Sequence, residues 1–111
     1  MSIELNGVEI IISPDVIFKI KIGEKIFLGA VKIHISKNNI FDKVQSRYIS
    51  SLLSKYLSEV VASEGEIVLE EFCLSIDVFG ESVIKVPNNL SKTLSEIEFI
   101  CEEIKSLWNA A

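Results

Sequence analysis

The chain has 111 residues, 49% of them hydrophobic and 24% charged, with a formal net charge of −5. That length supports one domain with one core, residues 1–111, and the apolar content excludes a disordered chain. The acidic balance points away from nucleic acid and anionic lipid and toward basic partners.

The charge is split along the chain. Residues 1–55 carry +3 and residues 56–111 carry −8. Ten of the eleven basic residues are lysines, Arg47 being the exception, which argues against a phosphate-binding surface built on guanidinium forks. No apolar run reaches the ~18 residues that span a bilayer, so no membrane association is expected. Met1-Ser2-Ile3-Glu4 lacks the basic region of a secretory signal, which makes the cytoplasm the expected address. Cys73 and Cys101 are too few for a disulfide framework and read as two buried free thiols.

In chain order, residues 2–5 and 8–12 flank Asn6-Gly7, the dipeptide favoured in two-residue hairpins because both positions need positive φ. Ser13-Pro14-Asp15 ends the second strand, since proline offers no ladder N–H. Residues 16–22 alternate Val16, Phe18, Ile20 and Ile22 against Ile17, Lys19 and Lys21; the first set is expected in the core and the lysines in water. After a turn at Gly23-Glu24, residues 25–36 form a long strand. Phe27, Val31, Ile33 and Ile35 lie on one face, and Ile26, Leu28, Ala30, Lys32 and His34 on the other, with Gly29 marking a bend or bulge. His34, the single histidine, is expected on the solvent-leaning side.

Residues 40–62 carry apolar positions at helical spacing, with Ser36–Asn39 supplying turn and cap residues and Asp42 in the first turn. The apolar pairs recur every four residues, so their stripe winds around the helix. Opposite runs a ridge of Ser46, Ser50, Ser54, Ser58 and Ala62, read as a solvated face, with close approach of another helix or a partner as the alternative. Gly65 suits the left-handed position that ends a helix. Residues 67–79 form the next long strand, whose alternation slips at Glu70-Glu71. A β-bulge there returns Ile67, Leu69, Phe72, Leu74, Ile76 and Val78 to one buried face. Gly80-Glu81 turns into a short strand at 82–86. A final helix follows, with Asn89 or Ser91 as cap and Thr93–Glu96 as a second capping box. Its core seam runs through Leu90, Leu94, Ile97, Cys101, Ile104 and Trp108, widened by Ile100 and Leu107, with Trp108 plugging the core edge.

The order ββββαββα shows no strand–crossover–strand repeat. It predicts an α+β fold: a mostly antiparallel sheet with two helices packed on one face.

The residues carry no catalytic signature. A nucleophile needs an activating base, and His34 has no partner in sequence. Two cysteines and one histidine do not make a metal site, and the five glycines form no phosphate loop, so neither enzyme activity, nor a metal, nor a cofactor is expected. Binding remains. Glu64, Glu66, Glu70, Glu71, Asp77 and Glu81, with Glu98, Glu102 and Glu103 of the last helix, are the candidate partner-binding residues. Together they would form an acidic patch for a basic protein.

In size, charge and composition, across its whole length, the chain resembles the small acidic immunity proteins of bacterial contact-dependent growth inhibition. No single motif residue carries the likeness. The resemblance implies a cytoplasmic antitoxin, active through protein–protein interaction, that covers the active or substrate-binding surface of a cognate toxin domain such as a basic nuclease. A homodimer is compatible with it. A secretion chaperone or adaptor is the alternative, although the opening hairpin departs from the helix that begins familiar type III chaperones. A small dimeric enzyme comes third.

Overall fold

Asn6 and Gly7 both take positive φ, 49° and 79°, and join β1 (Ser2–Leu5) to β2 (Val8–Ile11) as the dipeptide predicts. The computed structural model describes residues 2–110, and the side chains of residues 2–107. The hairpin is a sheet of its own. The other four strands, β3 (Val16–Ile22), β4 (Lys25–His34), β5 (Glu66–Asp77) and β6 (Ser82–Ile84), form a second sheet in that spatial order.

The chain is α+β, as expected, but its larger sheet is mixed. β3 pairs with β4 and β5 with β6 in antiparallel fashion, while β4 and β5 run parallel. A parallel pair cannot be closed by a tight turn and needs a crossover of a dozen or more residues. Here α1 (Lys43–Tyr56) and the π-helical turn Leu57–Val61 supply it. The expectation of no strand–crossover–strand unit is therefore corrected: β4–α1–β5 is one. The placement of both helices on one face is corrected too. α1 lies against β4, β5 and β6, whereas α2 (Leu90–Ala110) packs on α1 and on the hairpin.

Local chemistry explains the helix ends. Asp42 is the N-cap itself, one position before the helix, and forms a reciprocal capping box with Gln45. At the other end the helix underwinds, with the Ala62 N–H donating to the Leu57 carbonyl five residues back. Gly65 has the predicted positive φ (83°), yet it serves the Ser63–Glu66 turn into β5, and Ala62 caps the helix in extended conformation. Asn89 caps α2 by accepting from the Lys92 N–H. Thr93 sits inside the helix and donates back to the Asn89 carbonyl, so no second capping box forms.

The serine ridge is the largest correction to the helix. Ser46, Ser50 and Ser54 are buried with Ser51, and only Ser58 of the predicted row is exposed. Small side chains let the α1 backbone come close to the sheet, whose facing positions are also small: Ala30, Cys73 and Ser75. The Ser50 hydroxyl reaches the Lys85 carbonyl at 3.1 Å, binding helix to sheet edge. Two cores result. Ile3, Leu28, Leu53, Tyr56 and Leu57 fill the space between hairpin, helix and sheet. Leu5, Ile97 and Cys101 seal α2 against the hairpin. Both cysteines are free and buried, as the sequence indicates.

Candidate functional site

Alternation along each strand was read correctly, but the side that receives the helix was not. Residues directly paired across a ladder share a face. Lys19 pairs with Leu28, Ile17 with Ala30, Ala30 with Cys73 and Lys32 with Ser75, so Leu28, Ala30, Cys73, Ser75 and Asp77 face α1. The opposite face collects Val16, Phe18, Ile20 and Ile22 of β3, Phe27, Val31 and Ile33 of β4, Ile67, Leu74 and Ile76 of β5, and Val83 of β6. Apart from Val83, for which no face was assigned, these are the residues the alternation assigned to the core, and none of the elements packed on the sheet covers them. Val16 is 47% exposed, Ile22 61% and Val83 62%.

The slip at Glu70-Glu71 is a bulge, larger than the single inserted residue that the alternation predicts. Val68 pairs with Leu28 and Cys73 with Ala30, so five steps along β5 oppose two along β4. Ile67 and Leu74 thereby return to one face, but that face is the uncovered one. Gly29 sits opposite the bulge, and the absent side chain is what admits the Phe18 ring. A Cβ there would lie 2.4 Å from its ζ carbon and 2.8 Å from the Phe72 Cβ. Phe18 and Phe72 meet edge to face above it, with ring centroids 6.2 Å apart.

The predicted acidic residues do not form one patch. Asp77 is buried and closes a loop: its carboxylate accepts from the Phe41 N–H at 2.7 Å and the Gly80 N–H at 2.9 Å. These donors, the Gly80 amide foremost, hold its pKa below the usual carboxylate range against the opposing effect of burial, with His34 adding to the lowering. Glu66 accepts from the Ser63 N–H and pairs with Lys19 at 2.9 Å, which lowers its pKa as well. Both carboxylates have partners within the fold. Glu64, Glu70 and Glu71 are exposed at the start and bulge of β5, and Glu81 lies beyond its far end with positive φ (53°). His34 is half-buried on the α1 side, not turned to water. Its Nε2 lies 2.6 Å from the Asn39 carbonyl and its ring stacks on Phe41.

Glu102 and Glu103 do share a surface, with neighbours the sequence reading placed elsewhere. The α2 seam buries only as far as Cys101. Beyond it Ile104 and Leu107 are exposed, as is Ile100, and Phe99 is 64% and Leu107 73% exposed. Phe99, Glu102, Glu103, Ser106 and Leu107 line one open groove on the outer side of the helix, and Glu98 is half-buried a turn before. Phe99 was legible as off the seam; Leu107 had been assigned to the core stripe. Trp108, expected as a plug, lies outside the described side chains.

An apolar cleft of about 150 Å³ opens between the hairpin and α1, lined by Ile10, Ile12, Phe41, Ile49 and Leu52. It is smaller than the ~300–1,000 Å³ of small-molecule sites. Among the described residues no group of three or more potential metal ligands converges, and no helix is long and apolar enough to cross a membrane.

Fold and surfaces together define the class: a small α+β protein whose exposed chemistry is apolar and acidic surface. No protein-family model, no curated protein and no solved structure matches the chain.

Proposed function

We propose that this chain is a cytoplasmic protein-binding module of the immunity type, which neutralises a basic toxin domain by covering its active or substrate-binding surface. The observation that carries the reading is the outer face of α2, where exposed Phe99 and Leu107 stand beside Glu102 and Glu103. Aromatic and aliphatic anchors rimmed by charge are the composition of binding hot spots. Carboxylates in such a rim speed encounter with a basic surface and select it over neutral ones. They also occupy the place that nucleic-acid phosphates would take on a nuclease. No cofactor or metal enters this mechanism.

The test has two stages. Tagged protein is used to capture partners from its native cells at low and high salt, and the captured domain is then co-expressed with the chain. The expected result is a basic domain, loosened by salt, whose growth arrest is relieved by the wild type. The Glu102→Lys/Glu103→Lys double variant should not relieve it while retaining its fold. A captured domain that the double variant binds and neutralises as well as the wild type removes α2 from the mechanism. Recovery of a neutral secreted effector without toxicity transfers the protein to the chaperone class.

A further inference from the structure

We propose that the uncovered face of the four-stranded sheet is the interface of a homodimer, two copies stacked sheet on sheet. Among the paired positions on this face the charged one is Lys25, at the turn end of β4 opposite Ile22; the others, from Val16 and Ile20 through Phe27, Val31 and Ile33 to Ile76 and Val83, are apolar. Contiguous exposed apolar surface on this scale marks an interaction site.

Three features select a second copy as the occupant. A two-fold contact places the same patch against itself, so a charge near its centre would meet its own like; the centre is apolar and Lys25 stands at the turn end, although the chain carries −5 overall. The shape is suitable as well. Two twisted sheets pack face to face about 10 Å apart, with side chains of both inner faces interdigitating. Gly29, filled by the Phe18 ring, keeps the middle of the face free of an added side chain.

The size lies close to the lower limit for a dimer. Four strands ~4.8 Å apart and about seven residues long at ~3.3 Å each cover roughly 440 Å² of flat footprint. Two copies would cover roughly 900 Å² before side-chain relief is counted, against the ~1,000 Å² total that a specific interface must clear. This inference does not rest on the α2 reading. Loss of partner binding with an intact dimer would sink that one and leave this one standing.

Sedimentation equilibrium of the full chain tests it. The wild type is expected at twice its 12.4 kDa chain mass at micromolar concentration. Ile33→Lys, toward the end of β4 beside Ile76 of β5, places two like charges in the interface. It should weaken association at least 100-fold while the circular dichroism spectrum is kept. Leu107→Lys on α2 should leave association unchanged. If Ile33→Lys does not fold, Val83→Lys on β6, paired with Ile76 and 62% exposed, takes its place, with an expected loss of at least tenfold. A wild type that remains monomeric at 100 μM overturns the proposal. So does a dimer broken by Leu107→Lys and untouched by the sheet variants. So does a monomer that floats with phosphatidylcholine–phosphatidylglycerol vesicles.

Discussion

Ser51 and Ser50 are neighbours on α1, both fully buried, and the structure predicts opposite outcomes for their replacement by alanine. The Ser51 hydroxyl has no hydrogen-bond partner among the described residues, whereas the Ser50 hydroxyl reaches the Lys85 carbonyl at 3.1 Å and two carbonyls of its own helix. A buried polar group without a partner costs about 1–3 kcal/mol, and alanine is favoured over serine inside a helix by up to about 0.7 kcal/mol. Ser51→Ala should therefore stabilise the protein by about 1–2 kcal/mol. Ser50→Ala gives up a bond of about 0.5–1.5 kcal/mol and regains part through propensity, for a net loss of up to about 1 kcal/mol. Urea unfolding at one fixed protein concentration, with the slope unchanged between variants, reads the difference. Fixed concentration matters because association adds to apparent stability. If Ser51→Ala loses as much stability as Ser50→Ala, the hydroxyl is satisfied in solution and the account of the ridge is wrong.

Acid should destabilise the protein through Asp77 and Glu66. Their folded pKa values lie below those of the unfolded chain, about 3.9 for an aspartate, so their contribution is fully present above that value and is lost as pH falls through the folded one. Asp77→Asn should flatten the fall of the urea midpoint between pH 5 and 3, and an unchanged slope would remove Asp77 as its source. Gly29→Ala should cost about 1–3 kcal/mol by overpacking against Phe18 and Phe72, and adding Phe18→Leu should recover part of that loss in thermal unfolding. The Cys73 thiol, pushed up to about 11 chiefly by burial, should resist iodoacetamide at pH 8 in the native state and react on unfolding; rapid native alkylation would contradict its placement.

Much of the fold was legible because it is written locally. Asn6-Gly7 specified a hairpin through positive φ, and Glu70-Glu71 marked a bulge by a break in parity. Asn89, one of two caps proposed for the last helix, caps it. What could not be read was non-local. Parallel pairing of β4 with β5 leaves no mark in either strand, because the same residues can pair in either direction. The acidic residues were grouped by closeness in sequence, but Asp77 is also held by the Phe41 amide and Glu66 by Lys19, partners that only the fold brings near.

The inverted sheet has a more particular cause. Alternation identifies which side chains share a face and does not say what will cover it. Hydrophobicity alone favours the side bearing Phe18, Phe27 and Ile76 for the helix. Shape favours the other, because the small side of α1, Ser46 through Ser54, needs a shallow counterface to bring its backbone in, and Ala30, Cys73 and Ser75 provide one. The bulky side would hold such a helix away and leave the serines spanning a gap. Close packing decides between them, since an unfilled gap forfeits contacts along its whole length. A sheet with a helix on its small face and an apolar surface on its bulky one is two layers, and the proposed dimer would stack two such pairs sheet to sheet. The strand residues that read as core in the sequence would be core residues in the proposed dimer, where a second copy completes the burial that the single chain leaves open.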